Sequence, residues 1–96
     1  MIPFEAVLHR VSGLDAQALE AWIAHGWIRP ERQAGRPVFE EIDIARCRLI
    51  LELREELEVN ESAIPVVLNL LDQLHRTRRQ LRRVVAALES TRPSHG

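Results

Sequence analysis

From residue 64 onward the sequence falls into one repeat. Ile64, Val67, Leu71, Leu74, Arg78, Leu81, Val85 and Leu88 alternate at spacings of three and four. Only an α-helix brings such positions to one side, and a stripe this narrow and long suits pairing with another helix. The repeat predicts a helix over residues 61–89, with Asn60 or Ser62 as its cap and Pro65 in its first turn, where a missing N–H costs little. Such a helix is roughly 42 Å long at 1.5 Å per residue, further than a small head can cover. The stripe is therefore expected to meet a second copy through Val67, Leu71, Leu74, Leu81, Val85 and Leu88, in either direction. Arg78, at a core position of the repeat, would set the register or mark where the pairing loosens. Leu68, Leu70 and Val84 widen the stripe where the helix can also touch the rest of the chain. Residues 90–96 are polar and contain a proline, so a flexible tail is expected there.

The first 60 residues have room for one small head. Phe4, Val7, Leu8 and Val11 follow helical spacing over residues 3–11, and Ser12-Gly13 breaks it. A second helix is predicted over residues 15–25, with Leu19, Trp22 and Ile23 on one side, ended by Gly26 and kept from resuming by Pro30. Helix, tight turn, helix and then glycine is the outline of a helix-turn-helix. Two apolar pairs, Ile28 with its neighbour and Val38-Phe39, then flank a polar turn at Ala34-Gly35, which reads as a hairpin or wing whose Pro37 belongs at an edge. A third helix is predicted over residues 40–58 with Ile42, Ala45, Leu49, Ile50, Leu53 and Leu57 as its apolar stripe and Asp43 in its first turn. The expected fold is all-α with a minimal wing: a winged helix-turn-helix head over 1–60, a long helix over 61–89 and a tail over 90–96.

Charge divides the chain. Residues 1–30 hold three acids and two arginines, residues 31–61 nine acids and five arginines, and residues 62–96 two acids and six arginines. An acidic middle and a basic end point to two surfaces with different partners. The four histidines, His9, His25, His75 and His95, are scattered, and neither a metalloprotease helix, a nucleophile elbow nor a glycine-rich phosphate loop is present. A non-enzyme without cofactor or metal is expected, since Cys47 is the only cysteine and one thiol makes neither a disulfide nor a thiolate cage. The N-terminus lacks the charged and apolar regions of a signal peptide, and no apolar run approaches the roughly 20 residues that span a bilayer. The cytoplasm is the expected compartment.

Two resemblances attach to these residues. Leu14, Asp15, Leu19, Trp22, Ile23, Gly26 and Ile28, followed by the wing and by Phe39, Glu40, Ile42 and Ile44, resemble the head of MerR-type regulators. In that family an Arg and a Tyr of the recognition helix and an Arg of the wing meet DNA phosphates. The matching positions here hold Glu20, Ala21 and Pro37. A surface that meets a polyanion needs positive charge, so the head is not expected to bind nucleic acid, although Arg29, Arg32 and Arg36 keep the wing basic. A MerR-like DNA-binding regulator lacking an effector domain is the rival reading, and a purely structural coiled-coil adaptor is another.

The second half resembles the chaperone modulator family CbpM. It carries that family's order of Arg48-Leu49, an acid-Leu pair, a helix break, Ile64, Leu68-Asn69-Leu70 and Asp72, with Ala63 where the family often has glycine. The likeness covers about residues 2–88. It implies a protein that binds the J-domain of a DnaJ-like, CbpA-type co-chaperone and inhibits its co-chaperone and DNA-binding activities. J-domains offer a basic helix, so a competitor should offer carboxylates on a rigid element. Glu52, Glu55 and Glu56 stand at i, i+3 and i+4 of the third helix and share one side. With Glu58, Asp72 and Trp27 they are the candidate partner-binding residues; Glu41 and Glu61 lie nearby in sequence. Arg48–Glu52 and Arg54–Glu58 are expected as ordinary i,i+4 pairs, and Arg76, Arg78, Arg79, Arg82 and Arg83 as a solvated face. Trp22 is expected in the core.

Overall fold

The computed structural model describes residues 1–91, so the expected tail lies, beyond Thr91, outside the described residues. Within them the chain is mostly helical, in the order β1 (Ile2–Pro3), α1 (Phe4–Arg10), α2 (Ala16–Ala24), β2 (Glu31–Gln33), β3 (Arg36–Phe39), α3 (Glu41–Leu51) and α4 (Ile64–Ser90). It divides into two compact units, Met1–Pro65 and a second that begins at Val66. No helix among the described residues is long and apolar enough to cross a membrane.

In the first unit α1 buries Val7, and Val11 just past its end is also covered. Asp15 starts α2 by accepting a bond from the Ala18 N–H at 2.8 Å, which satisfies one orphan donor of the first turn. The helix ends in a Schellman motif. Gly26 takes φ +77°, Trp27 N–H reaches Trp22 C=O at 2.9 Å, and Gly26 N–H reaches Ile23 C=O at 3.0 Å. Leu19 and Trp22 are buried, as the spacing predicts, and the Arg54 guanidinium lies 5.8 Å from the centre of the Trp22 ring.

The wing is larger than expected. The turn residues Ala34 and Gly35 both have positive φ, the signature of a two-residue hairpin. A third strand, β1, joins on the far side and gives the order β1-β3-β2. Pro37 thus lies in the middle strand, not in an edge strand. The register explains how it is tolerated. Gln33↔Arg36 closes the hairpin, so at Arg32↔Pro37 the ladder bonds point away from β2, and β1 has already ended with Pro3 opposite Val38. The missing N–H falls where β3 has no neighbour. Phe39 pairs with Ile2 and packs its ring against Phe4, with centroids 6.3 Å apart.

The third helix corrects the expected stripe in part: Ile50 and Leu53 lie inside as expected, and Ile42, Ala45 and Leu57 do not. Its buried residues are Ile44, Cys47, Ile50 and Leu53, whereas Ile42 and Leu57 are each 68% exposed and Ala45 is exposed as well. Apolar residues surround this helix on most sides, so period alone could not choose the inner one. Cys47 acts as a small apolar residue, fully buried, and burial pushes its thiol up to about 12, beyond use as a nucleophile near neutral pH. The Asp43 carboxylate accepts from the Glu40 N–H at 2.8 Å and anchors the first turn.

After Leu51 the helix widens to π spacing over Glu52–Glu56, with Leu57 N–H bonded to Glu52 C=O at 3.0 Å. It closes like α2, but one residue wider, as Val59 N–H reaches Leu53 C=O at 2.8 Å and Glu58 takes the left-handed conformation at φ +54°. An L-residue with a Cβ is strained there by roughly 1–2 kcal/mol. Glu58→Gly is therefore expected to stabilise the first unit by about 1 kcal/mol after glycine's greater unfolded-state freedom is counted. A thermal melt should rise by several degrees; a fall would mean that the Glu58 side chain holds something that the strain conceals.

Asn60 takes the cap expected before the last helix, its Oδ1 accepting from Ala63 N–H at 3.0 Å and from the Ser62 hydroxyl at 2.8 Å. In the second unit α4 runs without a break to Ser90, as the heptad predicts.

Candidate functional site

An open groove of about 560 Å³ lies in the first unit, lined by Arg10, Ser12, Gly13, Arg48, Leu51, Glu52, Glu55 and Glu56. One wall is the end of α1 and the turn after it; the other is the last part of α3 and its wide turn. Leu51 is the apolar residue of the lining, half-buried between charged neighbours.

The wide turn shapes the acidic wall. Glu52, Glu55 and Glu56 lie on this turn, and all three line the groove. All three are exposed. Glu55 accepts from the neighbouring Arg54 at 3.1 Å. The Glu52 and Glu56 carboxylates make no hydrogen bond or ion pair among the described residues. The basic wall is better matched. Arg10 makes a bidentate bond to Glu41, both contacts at 2.6 Å, and this bond holds the Glu41 carboxyl below its usual range. Arg48 donates to the Arg10 carbonyl at 3.0 Å, tying α3 to the end of α1. The i,i+4 pairs expected for Arg48 and Arg54 do not form. Arg48 turns to the Arg10 carbonyl, and the helix turns back at Glu58 before that residue can sit one turn above Arg54. What remains is a groove with two unmatched carboxylates on one side, able to receive a cationic segment.

The expected partner-binding residues separate. Glu52, Glu55 and Glu56 come together in the groove, whereas Glu58 lies in the strained reversal beyond it and does not line it. Trp27 is a core residue at 8% exposure, its ring stacked on His25 at 5.0 Å and its carbonyl accepting from Arg46 Nε at 2.5 Å. So covered a ring offers little area to a partner. Asp72, half-buried, belongs to α4 in the second unit. Arg10, Ser12, Gly13 and Arg48 are groove residues that the sequence reading missed. Ser12-Gly13 is legible only as a helix break, and the Arg10–Glu41 pair spans 31 positions with no local pattern to announce it.

On the expected dimer stripe Leu74, Leu81, Val85 and Leu88 are exposed, and Val67 and Leu71 are half-buried. Among the described residues no three His, Cys, Asp or Glu side chains gather as metal ligands.

The surfaces that would face DNA in a helix-turn-helix are poorly charged. On α2 Glu20 and Ala21 are exposed, and Asp15 is spent on the cap. Arg29 and Arg32 fold back onto the carbonyls of Gly26 and Gly35 at 3.2 and 3.3 Å.

No curated protein and no solved structure matches the chain. The family model described as MerR HTH family regulatory protein matches residues 4–85, which takes in the helix-turn-helix, the wing, the groove and most of α4. By that match the chain belongs to the MerR helix-turn-helix family.

Proposed function

We propose that this protein is a dimeric chaperone modulator that binds the J-domain of a DnaJ-like co-chaperone through the α1–α3 groove and blocks it. The observation that carries the reading is the pair of unmatched carboxylates, Glu52 and Glu56, on the groove wall with Glu55 beside them. A basic helix laid along this wall would meet three acids within about one helical turn, with Leu51 among them. Charges so arranged speed encounter and fix orientation, while desolvated apolar contact holds the complex. The resemblance to the CbpM family points to the same partner. The exchange of phosphate-binding side chains for Glu20, Ala21 and Pro37 argues against the DNA-regulator reading. No group in this reading performs chemistry; the protein acts by occupying the face that the co-chaperone needs. α4 supplies the second copy.

The test is a calorimetric titration with the isolated J-domain of the host's CbpA-type co-chaperone. Saturable binding is expected, weaker at higher salt. Glu52→Arg with Glu56→Arg should weaken it by about a hundredfold or more, since like charges facing each other cost several kcal/mol. Glu58→Gly, outside the groove, should leave it unchanged. No heat at tens of micromolar J-domain would overturn the proposal and return the DNA-regulator reading to first place.

A further inference from the structure

We infer that α4 carries a second binding surface, for the phosphate backbone of duplex DNA, formed by Arg76, Arg79, Arg82 and Arg83. These are all exposed, and none of their guanidinium groups makes a hydrogen bond or ion pair among the described residues. The first unit treats most of its arginines differently: Arg10, Arg29, Arg32, Arg46, Arg48 and Arg54 each bond to a carbonyl or carboxylate, and Arg36 at the wing turn is the exception. Within α4 the pairs Arg76–Arg79, Arg78–Arg82, Arg79–Arg82 and Arg79–Arg83 sit at i,i+3 or i,i+4, where like charges destabilise a helix. Arg78, Arg79, Arg82 and Arg83 have no acid three or four residues away on either side to offset this. An external polyanion would.

The arrangement of the arginines selects among polyanions. At about 100° per residue the four sweep roughly 120° of the helix, while Arg78 borders the apolar stripe. Arg76, Arg79 and Arg83 lie about 130° or more from the centre of the apolar stripe formed by Leu74, Leu81, Val85 and Leu88. A helix lying on a lipid surface needs its cations flanking the apolar face; here, turning the stripe toward the lipid would send these three arginines into water. Single strands are held largely by stacking on aromatic rings, and α4 has none. The major groove of A-form RNA is too deep and narrow for side chains to read. The B-form major groove admits an α-helix, with phosphates along both rims, and a wide arc of arginine meets both at once. Contacts to the phosphates of the two rims carry no sequence information, so binding through them is independent of sequence. It also leaves the stripe free for a second copy and does not involve the α1–α3 groove.

Fluorescence anisotropy of the full chain with a labelled 20-base-pair duplex tests the proposal. Micromolar binding is expected at 50 mM salt, equal for unrelated sequences, and weaker by about tenfold or more at 200 mM. Arg79→Ala with Arg83→Ala keeps helix propensity, and should weaken binding roughly tenfold and reduce the salt slope by about 2. Its J-domain titration should be unchanged, which separates this surface from the groove. Arg32→Ala with Arg36→Ala on the wing should leave DNA affinity intact. The proposal is overturned by absent binding at 50 mM salt, or by binding that only the wing variant weakens. Equal affinity for an RNA duplex, or preferential binding to phosphatidylserine vesicles, would overturn it as well.

Discussion

Phe39→Ala is expected to unfold the first unit at room temperature. The ring is fully buried at the point where the sheet meets α1: it is paired with Ile2 across β1–β3 and in tilted contact with Phe4. Truncating a buried phenylalanine costs about 3–5 kcal/mol, the lost transfer energy plus the cavity left behind, and the broken aromatic pair adds about 0.5–1.5 kcal/mol. A unit of this size has a total stability of only about 3–10 kcal/mol at typical per-residue values. Both tryptophans, Trp22 and Trp27, are buried in this unit, so their emission reports on it alone. The variant should show red-shifted emission at 25 °C and no cooperative melt, and Phe39→Leu should recover most of the loss because it keeps apolar volume. A blue-shifted, cooperative Phe39→Ala protein would mean that the sheet does not hold the helices together as described.

The parts of this fold that were legible in the sequence are those where one local pattern had one physical solution. The heptad over Ile64 to Leu88 can only be a helix, and Asp15, Gly26 and Asn60 are placed where caps and stops must be. What was hidden required two distant segments at once. Ile2-Pro3 is too short to read as a strand and becomes one only because Val38-Phe39 offers it a free edge. Pro37 reads as an edge residue, and the physics behind that reading holds at the level of one N–H; what the sequence could not show is that β1 stops one residue short of it. On α3 the apolar residues allow more than one inner face, and the choice of Ile44 and Cys47 over Ile42 and Ala45 is made by the partners that surround it.

The candidate site divides along the same line. Glu52, Glu55 and Glu56 are neighbours in the chain, so their shared side was visible from spacing. That they face the turn at Ser12-Gly13, with Arg10 already held by Glu41 and Arg48 by the Arg10 carbonyl, depends on packing between α1 and α3. Nor does spacing reveal the π turn, which gives Glu58 its strained backbone and turns it out of the groove. Trp27 shows the converse difficulty. A tryptophan after a helix-ending glycine reads equally well as an anchor for a partner or as core, and only the Schellman closure, which folds it back under α2, decides.

Leu81→Glu with Val85→Glu is expected to convert a dimer into a monomer. Leu81 and Leu88 are more than 60% exposed on α4, and Leu74 and Val85 more than 40%. An isolated helix gains little stability of its own, even at this length, and most helices in proteins owe theirs to packing of an apolar face. A second copy of the same stripe is self-complementary, leaves the arginine arc outward and needs no further partner to cover it. Two carboxylates in the seam of each copy would be buried against apolar side chains and against each other, at a cost of several kcal/mol. That is enough to dissociate a pair whose gross apolar gain must also offset the freedom lost on association. Sedimentation equilibrium should give the chain mass of 11.0 kDa for the variant and twice that for the parent. Far-UV helix signal should fall with dissociation, since α4 loses its packing. Arg78→Leu should act in the opposite sense: the charge at this core position opposes close approach, and its removal should tighten the dimer while relaxing its register. If the Leu81/Val85 variant sediments as a dimer, the stripe is not the interface. If the parent is already a monomer at high micromolar concentration, the exposed leucines of α4 must be covered by something other than a second copy.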